Sequence, residues 1–91
     1  MGASFLKMKK SLKNVNSSIS KIIKNETITY IDKMNGQGVN NLHNLFMSEV
    51  EKSLITTVLN HLNGNVTRTA DYLGINRGTL IKRIKEYGIS A

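Results

Sequence analysis

Residues 64–83, GNVTRTADYLGINRGTLIKR, constrain the fold more than any other stretch of the chain. They predict two short helices joined by a tight turn at Gly74. Asn65 is placed to cap the first helix, with Val66, Ala70 and Leu73 facing inward. Asn76 is placed to cap the second, with Leu80, Ile84 and Tyr87 inward and Gly88 at its end. Two helices that touch closely want a small residue in the first, a Gly four residues on, and an aliphatic residue six further along. Ala70, Gly74 and Leu80 meet all three demands. The second helix also carries Arg77, Thr79, Lys82, Arg83 and Lys85. Basic and small polar residues there suit a nucleic-acid groove, so the segment predicts a helix-turn-helix.

Upstream, Ile19, Ile22, Ile23, Tyr30, Ile31 and Met34 recur at helical spacing, with Glu26 and Thr27 on the same face. They predict a helix of about four turns, capped by Ser17 or Ser18. Residues 27–31, TITYI, are strand formers and compete with that reading, but the longer helical stripe outweighs them. Asn35, Gly36, Gln37 and Gly38 end the helix. Asn40 or Asn41 would cap the next one. In it Leu42, Leu45, Phe46, Val50, Leu54, Val58 and Leu62 form one apolar stripe. Met47, Ile55 and Leu59 add a second face. So wide an apolar arc needs cover on more than one side, and a second copy of the chain is the simplest cover. Gly64 ends this helix.

Residues 1–18, rich in Ser, Asn and Lys, show no sustained period and predict a basic, disordered arm. The organisation expected is therefore arm over 1–18, dimerisation helices over 19–63, and helix-turn-helix over 64–91. The fold class expected is all-α. Each subunit has four helices, two long ones forming a dimer core and two forming the C-terminal motif. Ile23, Tyr30, Phe46, Val50, Leu54 and Val58 are the expected dimer core.

The net charge of +7 is unevenly spread. Residues 1–18 carry four Lys and no acid, residues 19–63 balance, and residues 64–91 carry five cations against Asp71 and Glu86. A neutral middle packs against its own copy without repulsion, while basic ends suit a polyanion. The 91 residues fit one domain, and a helical chain this short gains core by pairing. With no Cys, neither a disulfide framework nor a thiolate metal site can form. His43 and His61 stand too far apart for a shared metal. Tyr30, Tyr72 and Tyr87 are too scattered for a single-strand stacking platform. No nucleophile with a base, carboxylate pair or Gly-rich phosphate loop is present, so an enzyme is not expected, nor any cofactor or metal. No apolar run reaches membrane-spanning length. Lys7, Lys9, Lys10 and Lys13 interrupt any signal-peptide core, and a cytoplasmic location follows as the expectation.

Residues 65–70 (NVTRTA), 73–80 (LGINRGTL) and 85–88 (KEYG) closely resemble the C-terminus of the Fis family, the factors for inversion stimulation. The likeness continues upstream through Tyr30, residues 35–37, 39–40 and 49–51, and covers about residues 19–90. The shorter motif alone is also similar to the DNA-binding domain of nitrogen-regulator-type activators. A third, nonspecific reading is a cationic protein that coats nucleic acid through its Lys arm. The Fis resemblance implies a homodimer with interlocked long helices and one helix-turn-helix projecting from each subunit. It implies recognition helices closer together than one DNA repeat, so that seating both bends the duplex. It implies a nucleoid-associated transcription regulator and recombination accessory factor, with RNA polymerase or a DNA invertase as further partners. The DNA contacts it implies are Asn65, Thr67, Arg68, Asn76, Arg77, Thr79, Lys82 and Arg83; the position of Lys85 adds long-range phosphate attraction. Arg77 would fork onto a guanine edge, and Asn65 and Asn76 would meet phosphates at helix starts.

Three residues depart from the family pattern. Ile81 and Glu86 replace basic residues, which implies weaker or altered readout. Ser53 replaces a kinking Pro, which implies a straighter second long helix. The family's N-terminal arm is a hairpin that activates an invertase; residues 1–18 here carry a Lys cluster instead.

Overall fold

The computed structural model describes residues 2–90, and their backbone is helical apart from turns and short connections. Four helices follow in order: α1 Gly2–Lys33, α2 Leu42–His61, α3 Val66–Leu73 and α4 Arg77–Tyr87. The expected all-α class and helix count hold. The chain divides into two compact units, residues 1–40 and 41–91.

The first unit is α1 with the turn that follows it. Its backbone is helical from Gly2, so the irregular arm expected over residues 1–18 is replaced by an extension of the first long helix. Ser17 and Ser18 lie inside that helix and cap nothing. The reason is local. No Pro occurs, and no Gly interrupts the chain between Gly2 and Gly36. Apolar residues at 5, 8, 12, 15, 19 and 22 alternate steps of three and four, the helical spacing that the Ser, Asn and Lys residues obscure. Extending an existing helix adds a hydrogen bond per residue, whereas starting one fixes several residues for a single bond. Residues 27–31 are helical as well, and the Thr27 hydroxyl donates to the Ile23 carbonyl at 2.6 Å. Ile23 and Tyr30 are half-buried, while Ile19 and Ile22 are exposed. The side chains of Lys9 and Lys13 lie outside the described residues.

The second unit joins α2 to α3 and α4. Ile55 and Leu59 on α2, each 1% exposed, are buried, and Ile55 packs with Ala70 from α3 and Leu80 from α4. Val66, Leu73, Ile75, Ile84, Tyr87 and Ile89 close around them. Of the second apolar face of α2, Ile55 and Leu59 are therefore buried within the chain itself, while Met47 stays exposed. The inward sets of two short helices suffice to cover one strip of a long one. The first stripe remains open: Leu45, Val50 and Leu54 are exposed, and Phe46 and Val58 are half-buried.

The helix ends share one device. After α3, the Gly74 amide donates to the Asp71 carbonyl and the Ile75 amide reaches back to Ala70 at 3.1 Å. After α4, Gly88 and Ile89 repeat this on Lys85 and Ile84. Gly74 holds φ at 70°, a left-handed conformation that costs a side-chain-bearing residue about 1–2 kcal/mol. The residue after each Gly, Ile75 or Ile89, packs back on the core and fixes the exit of the chain. After α2 both Asn63 and the expected Gly64 hold positive φ, at 55° and 80°, and the Gly64 amide donates to the Leu59 carbonyl at 2.8 Å. α2 runs unbroken across Ser53, whose carbonyl accepts from Thr57 Oγ1 at 2.8 Å.

Candidate nucleic-acid interface

The outer surface of the helix-turn-helix begins at two caps. Asn65 Oδ1 accepts from the Arg68 amide at 3.1 Å, and Asn76 Oδ1 accepts from the Gly78 amide at 2.7 Å. Each bond satisfies one of the amides that a helix start leaves without an intrahelical partner. The remaining amides of the first turn point outward with a partial positive charge, the usual setting for an anion. Gly78 keeps this cap tight, since a Cβ there would meet Asn76 Oδ1 at 3.1 Å.

Arg77, Gly78 and Thr79 are exposed on the first turn of α4, while Leu80, the next residue, is wholly buried. One residue thus anchors the helix and the three before it face away from the core. Lys82 and Lys85 continue the exposed side. On α3, Thr67 and Arg68 are exposed and follow directly on Asn65. Arg68 is pre-oriented: its guanidinium lies 5.7 Å from the centre of the Tyr72 ring and donates to the Tyr72 hydroxyl at 3.3 Å. Stacking on an aromatic face holds the long side chain without neutralising its charge. Thr69, between them, is fully buried and satisfied by the Asn65 carbonyl at 2.8 Å.

Seven of the nine expected contacts, Asn65, Thr67, Arg68, Asn76, Arg77, Thr79 and Lys85, are thus exposed and free of ion pairs among the described residues. Lys82 lies 4.0 Å from Glu86, a loose pair with its ammonium still exposed. Arg83 differs. Its Nε lies 3.0 Å from Glu51 Oε1 on α2, and its Nη1 lies 3.3 Å from Glu86 Oε2. The Tyr87 hydroxyl donates to the same Glu51 oxygen. That hydrogen bond to a carboxylate holds the Tyr87 phenol above its ordinary value, with burial and the Glu51 charge adding to the effect. The bond is therefore intact below the ordinary tyrosine range and is lost only as pH rises through the raised value. Glu86 is likewise not a bare repulsive charge, because Arg83 and Lys82 both face it. Glu51 and Tyr87 have no counterpart in the sequence expectations for the site. Glu51 and Arg83 stand 32 positions apart, on different helices, and no spacing rule joins them. Ile81 is half-buried rather than fully displayed on the outer surface.

Among the described residues, no group of three or more His, Asp or Glu could hold a metal ion, and no helix is long and apolar enough to cross a membrane.

Residues 46–87 match the model of a family described as "Bacterial regulatory protein, Fis family". The chain is 41% identical over 78 residues to "DNA-binding protein Fis" of Aliivibrio fischeri, covering 86% of this chain and 76% of the relative. It is 42% identical over 78 residues to the protein of that name from Proteus mirabilis, with the same shares covered. The Buchnera aphidicola protein is 38% identical over 78 residues, across 86% of this chain and 80% of its own length. The chain belongs to the Fis family. The family match starts at Phe46 and ends at Tyr87, so it takes in Ile55 and Leu59 of α2 together with both short helices. That span coincides with the core around Ile55, Ala70 and Leu80. In this Fis-family chain the motif and the part of α2 that carries it form one matched unit.

Proposed function

We propose that this chain acts as a homodimeric DNA-binding and DNA-bending protein, a non-enzymatic transcription regulator of the nucleoid, with recombination enhancement weak or absent because its first 18 residues carry a Lys cluster in place of the family's hairpin arm. One observation carries the DNA reading. Arg77, Gly78 and Thr79 stand exposed at a capped helix start whose next residue, Leu80, is 0% exposed. A rigidly seated helix with its first turn outward is the part that enters a major groove. Membership of a family whose relatives are named DNA-binding proteins supports it. In this reading Asn65, Thr67, Arg68 and Asn76 hold phosphates, Arg77 reads a guanine edge, and Thr79 and Lys82 flank it. Lys85 adds long-range attraction.

The homodimer is supported by the open stripe on α2, where Leu45, Val50 and Leu54 are 43%, 41% and 52% exposed. Apolar side chains in a row at helical spacing gain most by meeting their own copies. Bending would follow if the two recognition helices of such a dimer stand closer together than one DNA repeat, as the family resemblance implies. RNA polymerase or a DNA invertase would be further partners of the same dimer, and the cytoplasm its location.

The test is a titration over a range of salt with two duplexes. One carries two half-sites spaced under one turn with an A/T-rich centre, the other a shuffled sequence of equal length. Preference for the first, with two subunits bound, is expected. Equal, steeply salt-dependent binding to both would favour the coating alternative. That alternative draws support from Lys7 and Lys10, exposed on a helical α1. It predicts that removing residues 1–13 weakens binding while Arg77→Ala does not.

A further inference from the structure

We propose that Glu51 and Arg83, together with Tyr87 and Glu86, form a clamp that sets how α4 sits on α2, so that Arg83 is a positioning residue rather than a phosphate contact. The inference rests on the DNA-binding reading above and assigns a separate role within it. Its basis is the geometry of four side chains. Arg83 Nε meets Glu51 Oε1 at 3.0 Å, and Arg83 Nη1 meets Glu86 Oε2 at 3.3 Å. Tyr87, one turn on from Arg83, donates its hydroxyl to Glu51 as well. One carboxylate on α2 therefore holds two side chains of α4 spaced four apart, which lie on the same face of that helix.

Two attachments at that spacing fix both the rotation and the tilt of α4. Leu80, Ile84 and Tyr87 seat α4 on the apolar core, and the polar attachments add a directional restraint that apolar contact lacks. Arg83 and Tyr87 sit three and seven residues beyond Leu80, toward the C-terminal end of α4. Arg77 and Thr79 sit at the opposite end. The exposed first turn lies about 15 Å along the helix from Tyr87, so a small change of tilt at the clamp shifts Arg77 and Thr79 by a fraction of that length. Orientation errors of this size at an interface cost binding even when every contact residue is retained. Arg suits the post because its planar fork reaches two carboxylates at once, which a Lys ammonium does so less rigidly. The Arg83 side chain is 33% exposed, against 70% for Lys82 on the same helix. Screening at that exposure makes the ion pair a modest source of stability, which is consistent with an orienting role.

The electrostatic sign makes the idea testable. Glu51 is an anion, so a bulk-charge view predicts that Glu51→Gln strengthens attraction to DNA and also frees Arg83 to meet a phosphate. The clamp predicts the reverse. The full chain is titrated with the half-site duplex at several salt concentrations, as wild type and as Glu51→Gln, Arg83→Gln and Arg83→Lys variants. Expected are losses of roughly three- to tenfold for all three, the range of a coupled pair of residues, with the salt slope unchanged. Arg83→Lys separates the roles most directly: a phosphate contact tolerates it, and the clamp does not. The proposal is overturned if Glu51→Gln binds as well as or better than wild type. It is equally overturned if Arg83→Gln lowers the salt slope by about one while Arg83→Lys restores it. Should Glu51→Gln fail to fold, the Arg83 pair still decides. A wild type that binds no duplex sinks the DNA reading itself. The clamp is then read from a Glu51/Arg83 double-mutant cycle on thermal unfolding, where coupling supports it and additivity overturns it.

Discussion

Ile55 and Leu54 are neighbours on α2, yet one is 1% exposed and the other 52%. They mark two apolar faces of one helix with different completions. The face of Ile55 and Leu59 is closed by α3 and α4 within residues 41–91. The face of Leu45, Val50 and Leu54 is open. The first face makes the helix-turn-helix a folded unit, and the second leaves apolar surface whose burial would drive assembly. Each fully buried Leu or Val side chain contributes about 1.5–3 kcal/mol, so covering three per chain in a symmetric pair is a large driving force. Fold and association should therefore respond separately to substitutions on the two faces.

Leu54→Asp carries the largest expected effect. In the proposed dimer it buries a carboxylate without a partner, once in each subunit, at several kcal/mol per charge. Sedimentation at micromolar concentration should show wild-type dimers and mutant monomers, with the residual helix of the second unit retained. A wild type that is monomeric at that concentration would remove the basis for the dimer. Leu59→Ala tests the other face. It removes a side chain 1% exposed and should cost about 2–5 kcal/mol in denaturant unfolding. Leu54→Ala, in contrast, should change the unfolding of residues 41–91 little at concentrations where the chain is monomeric. Equal losses from both would mean that the two faces are not energetically distinct.

Which parts of this arrangement the sequence discloses depends on how local their causes are. The motif over residues 64–88 is legible because each piece is written nearby. Asn65 and Asn76 cap from within three residues, Gly74 reverses the chain, and Ala70 to Leu80 sets the packing distance. The apolar arc of α2 is legible as too wide for one neighbour. It does not say which neighbour closes which side, and the helix-turn-helix closes over Ile55. The helical start of α1 is hidden by composition, because Ser, Asn and Lys between residues 7 and 18 mask the steps of three and four. Arg83 reads as one more cation in a basic helix. Only the fold reveals that Glu51, from a different helix, holds it.

Arg77→Ala has a smaller expected effect than either core change, and it falls on binding rather than folding. If the guanidinium reads a base, the specific duplex should lose about 1–3 kcal/mol, and its preference over a shuffled duplex should narrow. The unfolding curve should be unchanged, because Arg77 is exposed. A uniform loss on both duplexes with a lower salt slope would reassign Arg77 to phosphate.

The smallest effects separate two asparagines that look alike in sequence. Asn41 and Asn76 each precede a helix, but only Asn76 caps one, through Oδ1 to the Gly78 amide at 2.7 Å. Asn41 sits at φ 53° and ψ 23° and makes no side-chain cap bond. Asn is tolerated there because it enters the left-handed region more readily than most residues. Replacement by Ala should destabilise at both positions by about 1 kcal/mol, for unrelated reasons. Replacement by Gly splits them. At Asn76 it removes the capping oxygen and should lower stability by a few tenths of a kcal/mol. At Asn41 it relieves a left-handed residue of its Cβ and should leave stability unchanged or slightly raised. Thermal unfolding of the four variants reads the difference directly, and a stabilising Asn76→Gly would mean that the cap contributes nothing to holding α4.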